Sequence, residues 1–254
     1  MNPYTELKKE YASSESEDIF RQKRNSESLK ALKENPELHP DPILKDVLEN
    51  GPQADTRHNL GIVSRPPKSI CQFIERLQSI ILSSISSPDA LFPIPESWLH
   101  LTALEICHTK PADEVERLAK LVTPALSKAI EIADSGLTLY KPMVSFDQRA
   151  IALSFISKPP TSQTSYREAL FNVVQDNTPP EVSPSSRYSA PSAHITMIRF
   201  IDNLAPTQVQ ALTSTIESIN KEIAESPIEW VFKPGTSHCH YGRTWYGNGT
   251  VIIP

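Results

Sequence analysis

From residue 59 onward the chain switches repeatedly between two hydrophobic periods. NLGIVSR (59–65) is a short apolar run that reads as a strand. PPKSICQFIERLQSIILSSI follows, with Ile70, Phe73, Ile74, Leu77, Ile80, Ile81 and Ile85 at helical spacing and prolines at its start. SWLHLTALEI (97–106) reads as a strand. PADEVERLAKLVTPALSKAIEIADSG reads as an amphipathic helix, with Pro111 near its start and Gly136 after its end. LTLYKPMVSFDQRAIALSFI predicts two strands with a turn near Asp147, and SYREALFNVVQDN a third helix. After the Pro/Ser-rich loop TPPEVSPSSRYSAPS come a strand, AHITMIRFI (193–201), and a fourth helix, PTQVQALTSTIESINKEIAES. IEWVFKPG and RTWYGNGTVIIP read as terminal strands around a loop, SHCHYG.

Residues 1–57 differ. They are rich in Glu, Lys, Ser and Asn and poor in apolar residues. RQKRNSESLKALKENPEL suits a solvated helix, and PDPILKDVLENGPQAD a short one ended by Gly51-Pro52. This part is read as an N-terminal arm, partly helical or mobile, with docking against the remainder as the alternative. Residues 58–254 are then the main domain.

One tripeptide pattern occurs twice: HLT at 100–102 and HIT at 194–196, 94 positions on. Each lies in an apolar strand followed by a proline-initiated helix, a weak internal duplication that favours two similar lobes. Side chains alternate faces along a strand, so His100 and Thr102 share one face and His194 and Thr196 another. By the same count Arg199, an odd number of positions from His194, should point the other way. Two such strands facing each other would gather two imidazoles and two hydroxyls around a small volume. Histidine can remove or supply a proton near neutral pH, and hydroxyls can donate to phosphate oxygens as charge builds there. That suits phosphodiester cleavage without a metal or other cofactor. A lone His-x-Thr on an apolar strand is ordinarily a core feature; the repetition at equivalent places carries the argument.

On this duplicated motif, and on its settings ESWLHLTALEI and RYSAPSAHITMIRF, the chain resembles the 2H phosphoesterase superfamily, in particular a fungal-type branch of RNA ligase/cyclic nucleotide phosphodiesterase-like proteins. The resemblance covers roughly residues 58–254. It implies an α+β, bilobal fold: two pseudo-symmetric lobes, each an antiparallel sheet with helices outside, around a central cleft. It implies hydrolysis of a nucleoside 2',3'-cyclic phosphate or a related RNA-end phosphodiester. His100 and His194 would be the acid–base pair, with either able to start as base, and Thr102 and Thr196 the phosphate-binding hydroxyls. The superfamily also holds RNA-end ligases and an exonuclease. A non-catalytic module holding a phosphorylated ligand or RNA is the alternative from a different class.

Composition narrows the partners. The net charge of -5 provides no broad basic face, which argues against duplex DNA and leaves a small nucleotide or RNA-end substrate. Three cysteines at irregular spacing, Cys71, Cys107 and Cys239, make no disulfide framework and fit a reducing compartment, cytoplasmic or nuclear. No apolar run is long enough to span a membrane, so no membrane partner is expected, and the chain is taken as a monomer. Arg187 and Tyr188, just before the second motif, and Tyr241, Trp245 and Tyr246 near the C-terminus are further candidates for contacting substrate, by phosphate pairing or base stacking. His238-Cys239-His240 lacks the spacing of a zinc module and reads as a surface or cleft-edge loop.

Overall fold

The computed structural model describes every residue except 1, 136, 185–190, 192 and 253–254. Gly136, expected to end a helix, and Arg187 and Tyr188 therefore lie outside the described residues. The N-terminal segment carries helices α1 (Pro3–Glu10), α2 (Ser14–Glu34) and α3 (Pro42–Asn50). Then follow β1 (His58–Ser64), α4 (Lys68–Ser83), β2 (Leu91–Pro93), β3 (Leu101–Lys110), α5 (Ala112–Asp134), β4 (Thr138–Phe146) and β5 (Ala150–Ser157). The chain continues with α6 (Gln163–Asp176), β6 (Ala193–Phe200), α7 (Pro206–Ile223), β7 (Trp230–Val231), β8 (Ser237–Arg243) and β9 (Asn248–Ile252).

The strands form two antiparallel sheets, a four-stranded one ordered β3-β1-β8-β9 and a five-stranded one ordered β2-β6-β5-β4-β7. The fold is thus α+β, with two lobes related by a repeated unit. In β1-α4-β3-α5 the last helix packs on its own sheet, while α4 crosses over to pack near β6 and α7. In β5-α6-β6-α7 the same exchange runs the other way: α7 packs on β4, and α6 crosses to β3 and α5. Each unit lends one helix to its twin, and this ties the lobes together.

The helical spacing read in the sequence is the packing face. Ile70, Ile74, Leu77 and Ile81 of α4 are all buried, each worth roughly 1.5–3 kcal/mol of burial. Ile85 falls just past the end of α4 and is only half-buried. The C-terminal region departs from expectation. SHCHYG is a central strand and no loop, because Ser237–Arg243 pairs with β1 on one side and β9 on the other. Thr244–Tyr246 is a single 3-10 turn and no strand.

The first 57 residues lie against both lobes. Tyr4, Leu29, Leu32 and Leu38 join the main core, and Leu44 and Val47 pack with Tyr246. The backbone N–H groups of His39 and Asp41 donate to the carbonyls of Gln148 and Phe200. Ion pairs between exposed side chains, such as Lys33 with Glu217, add at most about 1 kcal/mol, so burial dominates the attachment. Two charged groups depart from this, the buried Arg21, whose Nη1 donates to the Lys141 carbonyl at 2.6 Å, and Glu17, which is fully buried. Its carboxylate accepts from Ser157 N at 2.9 Å, Ser157 Oγ at 2.6 Å and Gln163 N at 2.6 Å. Burial pushes its pKa up, against those hydrogen bonds and Arg167, which act downward.

Replacing this acceptor tests the docking. Glu17→Ala removes the acceptor of the buried Ser157 amide and should destabilise the fold by about 1–3 kcal/mol in urea denaturation. An unchanged midpoint would contradict a structural role for this contact.

Candidate active site

His100 stands one residue before β3, at the exit of a 3-10 turn formed by Glu96–Trp98. Two contacts hold that exit. Arg65 Nη1 donates to the carbonyls of Ser97 and Leu99, both at 3.0 Å. His100 Nδ1 lies 2.7 Å from the Trp98 carbonyl. A carbonyl can only accept, so Nδ1 carries the proton and Nε2 of the neutral ring is left with its lone pair. His194 is the second residue of β6, whose partner β5 lies at the middle of the five-stranded sheet.

Burial follows the pleat. Leu99, Leu101 and Ala103 are buried while His100 and Thr102 are half-buried. Ala193, Ile195 and Met197 are buried while His194 and Thr196 are half-buried. The alternation then breaks at the same place in both strands. On β3, Thr102 pairs with Val63 but Leu104 with Ile62, so Ala103 is an extra residue. On β6, Thr196 pairs with Ala152 but Ile198 with Ile151, so Met197 is extra. Each is a β-bulge, which shifts the side chains that directly follow it to the other face. Glu105 and Arg199, again 94 positions apart, thereby come round to the face of the motif residues. This corrects the expectation that Arg199 points away.

The two motif strands approach each other across the cleft. His100, Thr102, His194 and Thr196 line one cavity of about 120 Å³, together with Glu105, Arg199, His240 and the 3-10 turn Thr244–Tyr246. Gly61 forms part of its floor, in register with Glu105 on one side and His240 on the other. A Cβ at Gly61 would meet the Leu104 carbonyl at 3.1 Å, so the bare backbone permits the close strand approach that opens this space.

The cleft disfavours charge on its imidazoles. Burial pushes the pKa of His100 down to about 4; its hydrogen bond to Trp98 acts upward, and Arg65, His238 and Arg199 act downward. Burial likewise pushes His194 down to about 4, helped by Arg167, Arg24, Arg199 and His100. Burial and the neighbouring positive charges therefore favour both rings neutral at pH 7. Arg167, buried on α6, also reaches the first motif: its Nη2 donates to the Thr102 carbonyl at 3.1 Å.

The other candidates divide. Trp245 and Tyr246 line the cavity. Tyr246 is buried, and its hydroxyl donates to Asp41 Oδ2 at 2.5 Å. Arg57 lies over the Trp245 ring at 4.2 Å from its centroid. Tyr241 does not line this cavity and packs against the core, because it follows His240 on β8 and takes the opposite face. His240, expected in a surface or cleft-edge loop, is instead a buried strand residue with its ring centroid 6.1 Å from that of His100. The strand-like alternation of SHCHYG was the available signal. For Glu105 and Arg199 the signal was a doubled apolar pair after each Thr, Ala103-Leu104 and Met197-Ile198. Among the described residues, no group of three or more His, Cys, Asp or Glu is placed to hold a metal ion.

No protein-family model matches the chain, and no curated protein matches it in sequence. Solved structures do. A conserved protein of unknown function from Agrobacterium tumefaciens, ATU0111, superposes with a TM-score of 0.54 at 11% identity, over 78% of this chain and 86% of that one. Escherichia coli LigT complexed with ATP gives 0.39 at 14% identity, over 77% and 94%. Kluyveromyces marxianus Usb1 with uridine monophosphate gives 0.42 at 15% identity, over 78% and 97%. The first match establishes a shared fold and nothing about activity. Two antiparallel sheets, each carrying one His-x-Thr strand, meet at a cleft, which is the two-lobed α+β arrangement expected from the sequence.

Proposed function

We propose that this protein is a metal-independent phosphodiesterase that hydrolyses a 2',3'-cyclic phosphate, on a nucleoside or at an RNA end. The observation that carries the reading is that both His-x-Thr motifs line one small cavity. In the reaction, one imidazole takes a proton from water as its oxygen attacks phosphorus. The bond from phosphorus to one ribose oxygen breaks, and the other imidazole protonates that oxygen. The Thr102 and Thr196 hydroxyls donate to the non-bridging oxygens, and Arg199 supplies positive charge beside them.

Such a pair needs one neutral and one protonated ring, whereas the protein's own groups favour two neutral ones. The substrate can supply the difference. A phosphate anion about 4 Å from an imidazolium contributes about 4 kcal/mol at an effective dielectric constant of about 20. At 1.36 kcal/mol per pKa unit, that is about three units, enough to bring one ring from about 4 to near neutrality. Either histidine can be the one protonated, according to which ribose oxygen leaves. No helix of the described residues is long and apolar enough to cross a membrane. Three free, buried cysteines support a reducing compartment such as the cytosol or nucleus.

The test is product analysis on the four nucleoside 2',3'-cyclic monophosphates in EDTA. Turnover should persist in chelator and fall about 10²–10⁴-fold in both His100→Ala and His194→Ala. Thr102→Val and Thr196→Val should each cost about 10²-fold. Binding of these nucleotides without turnover by the folded wild type would replace the enzyme reading with a binding module. A second outcome concerns pH. The singly protonated pair of the free enzyme is most abundant near the depressed pKa values, so kcat/KM should rise as pH falls from about 7 to 5. A profile that falls over that range would contradict the depressed imidazoles.

A further inference from the structure

The cavity of about 120 Å³ that holds the motifs is well below the roughly 300–1,000 Å³ of ordinary ligand pockets. It has room for the reacting phosphate and little of what the phosphate is attached to. A second cavity, of about 630 Å³, adjoins it and shares His194, Thr196, Arg199 and Trp245 with it. One wall of this larger space is built by the N-terminal helices and the segment between α2 and α3, the other by β5, β6 and the β4–β5 turn.

Its lining is basic, against an overall charge of -5. Arg21, Arg24, Arg57, Arg149 and Arg199 face two aspartates, Asp41 and Asp147. Both aspartates already accept hydrogen bonds: Asp41 from the amides of Ile43 and Leu44 and from Tyr246, Asp147 from the amides of Arg149 and Ala150. Arg57 is paired with Asp55 and Arg21 with Asp18. The guanidinium groups of Arg24, Arg149 and Arg199 have no carboxylate partner among the described residues. A basic trough, with Arg24, Arg149 and Arg199 free of carboxylate partners and opening onto a phosphate-sized site, fits a ligand carrying further phosphates along its length.

We propose that this cavity is the subsite for the single-stranded oligonucleotide attached to the reacting phosphate, and that the N-terminal segment belongs to the substrate-binding unit. The inference rests on the phosphodiesterase reading above and narrows its substrate from a mononucleotide to an RNA end. Phosphates one and two nucleotides from the end would meet Arg24 and Arg149, both exposed on the cavity rim.

The experiment measures fluorescence-anisotropy binding of a 5'-labelled RNA trinucleotide ending in a 3'-phosphate, with nucleoside 3'-monophosphate as competitor. Full-length wild type, Arg24→Glu and Arg149→Glu are compared over a salt series. The wild type should bind the trinucleotide at least tenfold more tightly than the mononucleotide. Each variant should reduce that ratio several-fold and lower the salt slope by about one. Equal affinity for the two ligands in the wild type, or an unchanged ratio in both variants, would overturn the proposal. Binding does not require turnover. An inactive wild type that still shows the ratio and its loss would therefore refute the catalytic reading and leave the subsite standing.

Discussion

A pleated strand turns successive side chains to opposite faces, and the candidate site depends on how β3 and β6 use and then break that rule. The alternation puts one imidazole and one hydroxyl of each motif on the cleft side and seats the intervening residues in the core. The bulges at Ala103 and Met197 then bring Glu105 and Arg199 to the same side. Without a bulge, Arg199 would be driven into the apolar interior, where an unpaired guanidinium is costly. The two lobes share this device as well as the motif, so the duplication extends to backbone irregularity.

The same geometry sets the electrostatics. Burial by the surrounding strands and the charges of Arg65, Arg167 and Arg199 all act against protonating the histidines. In the proposed reaction the arriving phosphate anion would restore the proton that acid catalysis requires, so that recognition and activation would be one event.

Much of this was legible in the sequence. The His-x-Thr repeat, its strand setting and the helices that follow can be read from apolar spacing, because burial on one face imposes a period. What escaped depended on long-range pairing. A bulge is defined by the partner strand, so the apolar pair Met197-Ile198 could hint at a break in the alternation, but the face of Arg199 was fixed only by Ala152 and Ile151 lying opposite Thr196 and Ile198. His240 escaped because its strand is short and polar, and becomes central only through β1 and β9. The polar N-terminal residues gave little sign of docking, since α2 attaches partly through the buried charged residues Glu17 and Arg21, where a periodic pattern expects apolar ones.

The central claim is that His100 and His194 act on one phosphate as one machine. The most direct measurement is a double-mutant cycle on kcat/KM for a 2',3'-cyclic phosphate, using His100→Ala, His194→Ala and the double variant. Groups that act as a unit are strongly non-additive. The account predicts that the double variant loses little more than either single one. Losses that multiply would show two independent contributions and contradict a shared acid–base site.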